Sequence, residues 1–301
     1  MRLSICIPVF NFDVNELIND LHNQITFYHI DAEIILIDDA SKKEFKEINR
    51  NLVARANQFI FLEKNIGRSK IRNLFLKYAQ SDYLLFLDCD GKVIRDNFLK
   101  SYCDLITQKK PDVIFGGRKV SDVKPDAMYG LRWRFARERE NLSLKERLRT
   151  PYLDFQTNNF IVRRSILERI PFNEGITQYG YEDLVFSKDL YDHHIKIDHI
   201  DNPIFNNDVE SNVIFLSKAD QSAKSLAQLI KNDQNFDRVS QIRLTKAYLL
   251  LRKTGAIHLY SLMYRLLKTR IEKKLLTGNA SLKALDCYKL GQLIGYMNNF
   301  H

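Results

Sequence analysis

Five short apolar runs, each carrying Asn, Asp or Gly at or near its end, constrain this chain more than any single motif. They are LSICIPVFN (Leu3 to Asn11), AEIILIDDAS (Ala32 to Ser41), NQFIFLEKNIG (Asn57 to Gly67), YLLFLDCDG (Tyr83 to Gly91) and DVIFGGRKV (Asp112 to Val120). Runs of this length that are apolar on both faces suit the buried strands of a mainly parallel sheet. Between them lie the helix-compatible segments Asn15 to Tyr28, Glu44 to Ala56, Arg68 to Gln80 and Asp96 to Gln108. The alternation predicts a doubly wound, Rossmann-like α/β domain whose ligands sit in the crevice at the carboxyl ends of the strands.

The fourth run sets the chemical question, because its apolar strand ends in two carboxylates, Asp88 and Asp90, one residue apart. A carboxylate buried without partners is costly, so the pair is expected where the strand emerges, facing water, cations or donors. Asp38 and Asp39 repeat the pattern after EIILI. Two hard oxygen ligands on a tight turn suit Mg²⁺ or Mn²⁺, although any Asp-x-Asp taken alone equally suits a solvated turn. There is no Walker A pattern, no G-x-G-x-x-G after the first strand and no nucleophile elbow, and Gly116 and Gly117 read as a turn or strand-end bulge. A metal-bridged diphosphate is the economical reading that remains.

At 301 residues, 45% hydrophobic and 28% charged, the chain has the composition of a soluble globular protein with one large domain or one domain plus an appendage. No window approaches the roughly 18 uninterrupted apolar residues of a membrane span, and MRLSICIPVF reads as a strand and not a signal peptide, so the expected compartment is cytoplasmic. Cys6, Cys89, Cys103 and Cys287 lack disulfide-framework or zinc spacing. The charge is lopsided: residues 231–301 hold 13 Lys and Arg against four Asp and Glu, a surplus equal to the +9 of the whole chain.

Taken together, these residues resemble the family 2 glycosyltransferases of the GT-A fold, from Leu3 to about Leu216. SICIPVFN is similar to that family's first strand and Pro-Val-aromatic-Asn loop, IDDAS to its Asp-Asp-x-Ser nucleotide loop, and NIGRSKIRN to its Asn-x-Gly segment and following helix. DCD occupies the D-x-D metal position and YEDLVFSKDL resembles the Glu-Asp motif bearing the catalytic base. The resemblance implies a nucleotide-diphosphosugar donor, expected to be a UDP-sugar, and inversion at the anomeric carbon. It assigns Pro8, Val9, Phe10, Asn11, Asp38 and Asp39 to the base and ribose, with Asn65, Gly67 and Arg72 bordering the nucleotide. Asp88 would face ribose or a metal-bound water, Asp90 would bind Mn²⁺ or Mg²⁺, and Asp183 would be the base, with Glu182 anchoring acceptor hydroxyls. Each has a plain alternative: a turn at Asn65 and Gly67, a solvated helix residue at Arg72, a helix cap at Glu182 and Asp183. Thr157, Asn158 and Asn159 precede an apolar strand where the family lines its sugar sites; of these, Asn158 is carried as an acceptor contact.

One departure stands out. Many relatives complete the metal shell with a His in a segment like NPVYH, whereas this chain reads NPIFNND and puts Asn206 there, with Asp208 or a water as substitutes. His199, seven residues earlier, reads as structural. The leading expectation is thus an inverting hexosyl- or N-acetylhexosaminyl-transferase in cell-surface polysaccharide assembly, using a glycan or lipid-linked acceptor. The alternative is a noncatalytic nucleotide-sugar or glycan-binding relative that lost turnover with its metal His. A nucleotidyltransferase lacks its Gly-rich signature here, and a nucleic-acid binder lacks zinc or RNA-motif signals.

The expected organisation is a GT-A domain over 1–216, with a nucleotide-binding half at 1–120 and an acceptor-binding half at 121–216, then a basic helical C-terminal extension at 217–301. Tyr129 to Arg149 reads as an Arg-dense helical stretch. Beyond Val213, Ile242, Tyr248, Leu249, Leu259, Leu262, Met263 and Leu266 are spaced for one helix face. The extension is either a helical cap with a solvated basic face or a surface resting peripherally on an anionic inner membrane leaflet.

Overall fold

In the structure, a computed structural model that describes residues 2–206, 210–279 and 281–298, the chain forms two compact units. The first comprises Met1–Val120, Asn141–Thr177 and Phe186–Asp208, and its central strand is β1 (Leu3–Val9). β1 pairs in parallel with β2 (Ala32–Asp38) on one side and β4 (Tyr83–Leu87) on the other, and β2 pairs in parallel with β3 (Gln58–Phe61). β8 (Asn159–Arg163) runs antiparallel between β4 and β6 (Val113–Phe115), and β9 (Ile197–His199) lies parallel to β6. The seven-stranded order is β3-β2-β1-β4-β8-β6-β9, a mostly parallel sheet as expected, with one reversed strand. A second sheet has the order β5 (Gly91–Lys92), β10 (Ile204–Asn206), β7 (Arg118–Lys119).

Both faces of the large sheet are covered. Leu85 and Leu87 of β4 pack with Leu17, Ile18 and Leu21 of α1 (Asn15–Phe27) and Phe98 and Leu99 of α4 (Phe98–Lys109). Leu84 and Phe86 point the other way, into a cluster with Ile71 and Phe75 of α3 (Arg68–Tyr78) and Leu167 of α7 (Arg164–Arg169). This two-sided burial is what an uninterrupted apolar strand requires, and each fully buried Leu or Phe contributes about 1.5–3 kcal/mol. The second helical stretch is shorter than the sequence suggests: α2 (Lys43–Ile48) gives way at Asn49 to a 3₁₀ segment, Arg50–Ala54. Asn49 is buried and bonds the backbone of another loop, accepting from Val14 N at 3.1 Å and donating to Phe12 O at 2.8 Å.

The second unit comprises Ser121–Glu140, Gln178–Val185 and Val209–His301. The Arg-dense stretch is not one helix but a series of short pieces, α5 (Gly130–Phe135), a π turn (Ala136–Glu140) and α6 (Leu144–Arg147), the last lying in the first unit. α8 (Glu182–Asp192) begins in the second unit and ends in the first. α9 (Asn212–Lys231), α10 (Asp233–Val239), α11 (Arg243–Lys253), α12 (Ile257–Leu276) and α13 (Leu282–Asn298) complete the helical array. Leu131, Phe215, Leu216, Leu275, Leu285 and Tyr288 form its core. Asn212 clamps three segments at once, its Oδ1 accepting from Leu131 N at 2.9 Å and its Nδ2 donating to Ala127 O and Leu276 O at 2.8 and 2.9 Å. On α12 the stripe Leu259, Leu262, Met263 and Leu266 is exposed; the inward packing comes from Tyr264, Ile271 and Leu275.

In the first unit a buried cation organises the end of β6. Arg147 is only 2% exposed and donates to the carbonyls of Phe115 (3.3 Å), Gly116 (3.4 Å) and Ile200 (2.9 Å). Gly117 turns there at φ +97°, and a Cβ on it would lie 2.7 Å from an Arg147 nitrogen, so glycine is required twice over. Arg147 Nη1 also lies 3.2 Å from His199 Nδ1, while His199 Nε2 lies 3.0 Å from Pro151 O. A guanidinium only donates and a carbonyl only accepts, so the imidazole is neutral with its proton on Nε2. Burial, then the Arg147 charge, lowers its pKa to about 4.

A pH dependence follows from that shift. Below about pH 6.5 the unfolded chain binds a proton on His199 that the folded chain refuses until about pH 4, so this stability is fully present above 6.5 and is lost as pH falls towards 4. We expect up to about 3 kcal/mol from the parent's His199 over that window. Urea unfolding at pH 7.5 and 5.0 checks it: His199→Gln should lose less stability than the parent between the two, and equal losses would contradict the assignment.

Candidate active site

The sequence-predicted nucleotide residues converge at the carboxyl ends of β1, β2 and β4. Pro8 and Val9 end β1, and Val9 O accepts from Asp39 N at 2.8 Å, so the exits of β1 and β2 are tied together. Beyond them Phe10 is half exposed, and Asn11 adopts φ +50°, a left-handed conformation that Asn tolerates. Asn11 latches the two loops: its N–H donates to Ser41 Oγ and its Oδ1 accepts from Lys42 N, both at 2.8 Å.

The two adjacent carboxylates divide their work. Asp39 accepts from Ile66 N at 2.7 Å and Gly67 N at 3.2 Å, and Asn65 Nδ2 reaches Asp39 O at 3.2 Å, which fixes the entry to α3. Burial pushes the Asp39 carboxyl above its ordinary pKa, against those two donors and alongside the charge of Asp38. Asp38 is fully buried; Oδ1 takes Ser41 N at 2.7 Å, whereas Oδ2 has no hydrogen-bond partner among the described residues. Buried acceptors are normally satisfied, so this oxygen suits a ligand donor.

Arg72, 3% exposed on α3, donates to Asp88 Oδ1 at 3.1 Å and stacks 5.6 Å over the Phe172 ring. Asp88 is also held through its backbone, its N–H donating to Asn158 O at 3.1 Å and its carbonyl accepting from Gly91 N at 3.0 Å. The second acid, Asp90, faces β10: Asn206 pairs with Gly91 in the short sheet, and Asn206 Nδ2 lies 2.5 Å from Asp90 Oδ2. Cys89 between the acids is half-buried, and desolvation, with the charges of Asp90 and Asp88, raises its thiol pKa to about 12.

The donor set fits a hard divalent cation sparingly. Asp88 and Asp90 carry the carboxylate oxygens of the set, Asn206 turns its Nδ2 towards Asp90, and no group of three or more His, Cys, Asp and Glu suited to a metal occurs among the described residues. A Mg²⁺ or Mn²⁺ held by so few side chains would rely on water and phosphate oxygens for the rest, as Mg²⁺ ordinarily does. His199 is not placed to help, since both ring nitrogens are engaged. Asp208 lies outside the described residues.

Asn158 reaches this edge through its backbone, and its Oδ1 is buried without a partner among the described residues. The next residue carries more of the structure than its sequence reading gave it. Asn159 donates to Gly117 O and Asn202 O, each at 2.9 Å, and accepts from Tyr102 OH at 2.7 Å, bracing the loop from β9 to β10 that delivers Asn206. A polar residue opening an otherwise apolar strand was the available signal. Arg147 gave none, being one of many arginines in its stretch.

Glu182 and Asp183 lie in the second unit, in the first turn of α8, where acids favour the helix dipole. Glu182 is buried and Asp183 half-buried. The approach is tightly bent: Gly180 and Tyr181 have φ of +99° and +71°, and Ser225 Oγ donates to Gly180 O at 3.4 Å. A left-handed aromatic residue costs on the order of 1 kcal/mol, so the turn that presents the two acids is under strain.

Residues 4–171, more than half of the chain, match the glycosyl transferase family 2. The chain is 28% identical to Escherichia coli chondroitin synthase over 63% of its own length and 32% of that protein's. It is 24% identical to the cholesterol galactosyltransferase of Borreliella burgdorferi over 98% of itself and 88% of that relative. Two solved structures share its fold: Staphylococcus aureus TarS 1–349 (TM-score 0.54, 18% identity, 100% of this chain and 91% of that one) and the mannosyltransferase PcManGT of Pyrobaculum calidifontis with GDP-Man and Mn²⁺ (0.63, 13%, 99% and 88%). With its D-x-D acids at the exit of a buried strand and its mostly parallel sheet, the chain belongs to glycosyl transferase family 2 and has the GT-A fold.

Proposed function

We propose that this protein transfers a sugar from a nucleotide-diphosphosugar, of the UDP class, to a hydroxyl of a glycan or lipid-linked acceptor in cell-surface polysaccharide assembly. The observation that carries the reading is the cluster at the strand exits, where Asp38 keeps a buried acceptor oxygen and Arg72 holds Asp88 beside Asp90. UDP and UDP-GlcNAc are bound in structures of TarS, which favours the UDP class. The name of the Borreliella relative, a cholesterol galactosyltransferase, supports an acceptor anchored in lipid. In this reading residues 1–216 carry the transfer in the cytoplasm and residues 217–301 rest against an anionic inner membrane face.

The roles follow from the chemistry of each group. Pro8 to Asn11 and Asp38 receive the base and ribose, while Asp39, Asn65 and Gly67 hold the loop that borders them. Arg72 holds Asp88 oriented towards the ribose or diphosphate side through their charge-assisted hydrogen bond. When bound, Mn²⁺ or Mg²⁺ held by Asp88, Asp90 and Asn206 supplies charge compensation for the departing diphosphate; neighbours solved with Mn²⁺ or Mg²⁺ support that choice. The acceptor hydroxyl attacks the anomeric carbon from the face opposite the diphosphate, its proton passes to Asp183, and the bond to the diphosphate oxygen breaks with inversion. Glu182 and Asn158 orient the acceptor.

Two substitutions test the assignment. Asp183→Asn preserves shape and removes proton acceptance, so transfer should fall about 10²- to 10⁴-fold while UDP-sugar binding persists; an unchanged rate would move the base elsewhere, Glu182 first. Asp90→Ala should abolish the Mn²⁺-dependent part of UDP-sugar stabilisation in a thermal-shift assay with the unliganded midpoint near the parent's, because Asp90 lies in a turn outside the core. Equal Mn²⁺ dependence in parent and variant would remove Asp90 from the metal site.

A further inference from the structure

α12 has two apolar faces, and among the described residues one packs inward while the other is exposed. On the inner face Tyr264 packs against Gly291 and reaches Gln292, and Ile271 and Leu275 join Leu285 and Tyr288 in the core of the second unit. On the outer face Leu259, Leu262, Met263, Leu266 and Leu267 are 63, 55, 52, 73 and 40% exposed. Their spacing, i, i+3, i+4, i+7 and i+8, sets them in one stripe about 12 Å long. A contiguous exposed stripe of this kind marks a surface that is covered by something else.

The charges around the stripe identify the cover. The same face continues at helical spacing into Arg270, Lys273 and Lys274, all exposed, and Arg265 and Lys268 lie beside it. The single acid of α12, Glu272, pairs with Lys268 at 3.8 Å. A second copy of the chain docking isologously here would bring two basic rims together, which costs affinity. A flat apolar row with a cationic border is instead what a helix lying in the interface of an anionic leaflet presents. No described helix is long and apolar enough to cross a membrane, so the contact is one that lies on the surface.

We infer that the outer face of α12 inserts its Leu and Met side chains at the surface of an anionic lipid bilayer, with Arg270, Lys273 and Lys274 on the headgroups. The inference rests on the membrane-face reading above for its purpose; vesicle binding is measured without donor or acceptor, so its failure leaves the transfer assays untouched.

The experiment is co-sedimentation of the full chain with phosphatidylcholine vesicles, with and without phosphatidylglycerol, at low and high salt. The parent should bind the phosphatidylglycerol vesicles and bind more weakly at high salt. Leu262→Gln with Leu266→Gln should weaken binding about tenfold or more at both salt concentrations. Arg270→Gln with Lys273→Gln and Lys274→Gln should weaken it about tenfold or more at low salt and little at high salt. All these positions are exposed, and an unchanged thermal midpoint confirms that the variants fold. The inference is overturned if the parent stays in the supernatant with anionic vesicles at low salt, or if both variants bind like the parent. Sedimentation velocity gives the remaining outcome: a dimer lost in the leucine variant while vesicle binding persists would make the stripe a self-association surface and overturn the bilayer contact.

Discussion

The ion pair between Arg72 and Asp88 couples the parts of the first unit that matter for chemistry. A guanidinium only 3% exposed needs a nearby anion, and removing one partner of such a pair leaves an uncompensated charge costing about 3–5 kcal/mol when burial is complete. Asp88, about a third exposed, lowers that figure and gives the pair a solvent-facing side. The pair can form only if α3 enters at the right height and β4 ends at Leu87. Asp39 secures the first by binding the N–H groups of Ile66 and Gly67, and the burial of Leu84 to Leu87 on both faces secures the second.

From this pair the polar edge extends in two directions. Towards β1 and β2, Asn11, Ser41 and Asp38 lock two loops with side chain to backbone bonds, leaving one buried carboxylate oxygen of Asp38 without a partner among the described residues. Towards β8 and β10, Asn159, Asn202 and Arg147 satisfy the carbonyls around Gly116 and Gly117 and so set the strand that carries Asn206 to Asp90. The site is therefore built on strand ends and braced loops, the kind of support that holds side chains to narrow tolerances.

Much of this was legible because the rules involved are local. An apolar run with Asp or Gly at its end reports a buried strand and its exit whatever the rest of the chain does, and the D-x-D acids of Asp88 and Asp90 fell where that rule put them. The reversal of β8 was not legible, since FIVR suits either direction and only the excursion of residues 121–158 decides it. Asn49 breaks its helix through bonds to Phe12 and Val14, more than thirty residues away, which no local propensity contains. The α12 leucines illustrate the opposite limit: periodicity located the stripe, yet the inward side is set by Tyr264 meeting Gly291 and Leu275 meeting Leu285, contacts invisible to spacing alone. Glu182 and Asp183 open α8, a position that acids at a helix start make legible, while the left-handed Tyr181 just before them was not, because nothing in its side chain favours that conformation.

Donor recognition at the ends of β1, β2 and β4 is the claim on which the other roles depend. The most direct measurement is the thermal midpoint of the parent protein across UDP-, GDP- and CMP-sugars in the presence of Mn²⁺. At a hundredfold excess over the dissociation constant a bound ligand stabilises the fold by about 2.7 kcal/mol, enough to raise the midpoint by several degrees. A rise with a UDP-sugar and none with GDP- or CMP-sugars is the predicted result. No rise with any nucleotide-sugar, metal present, would contradict donor binding at this edge.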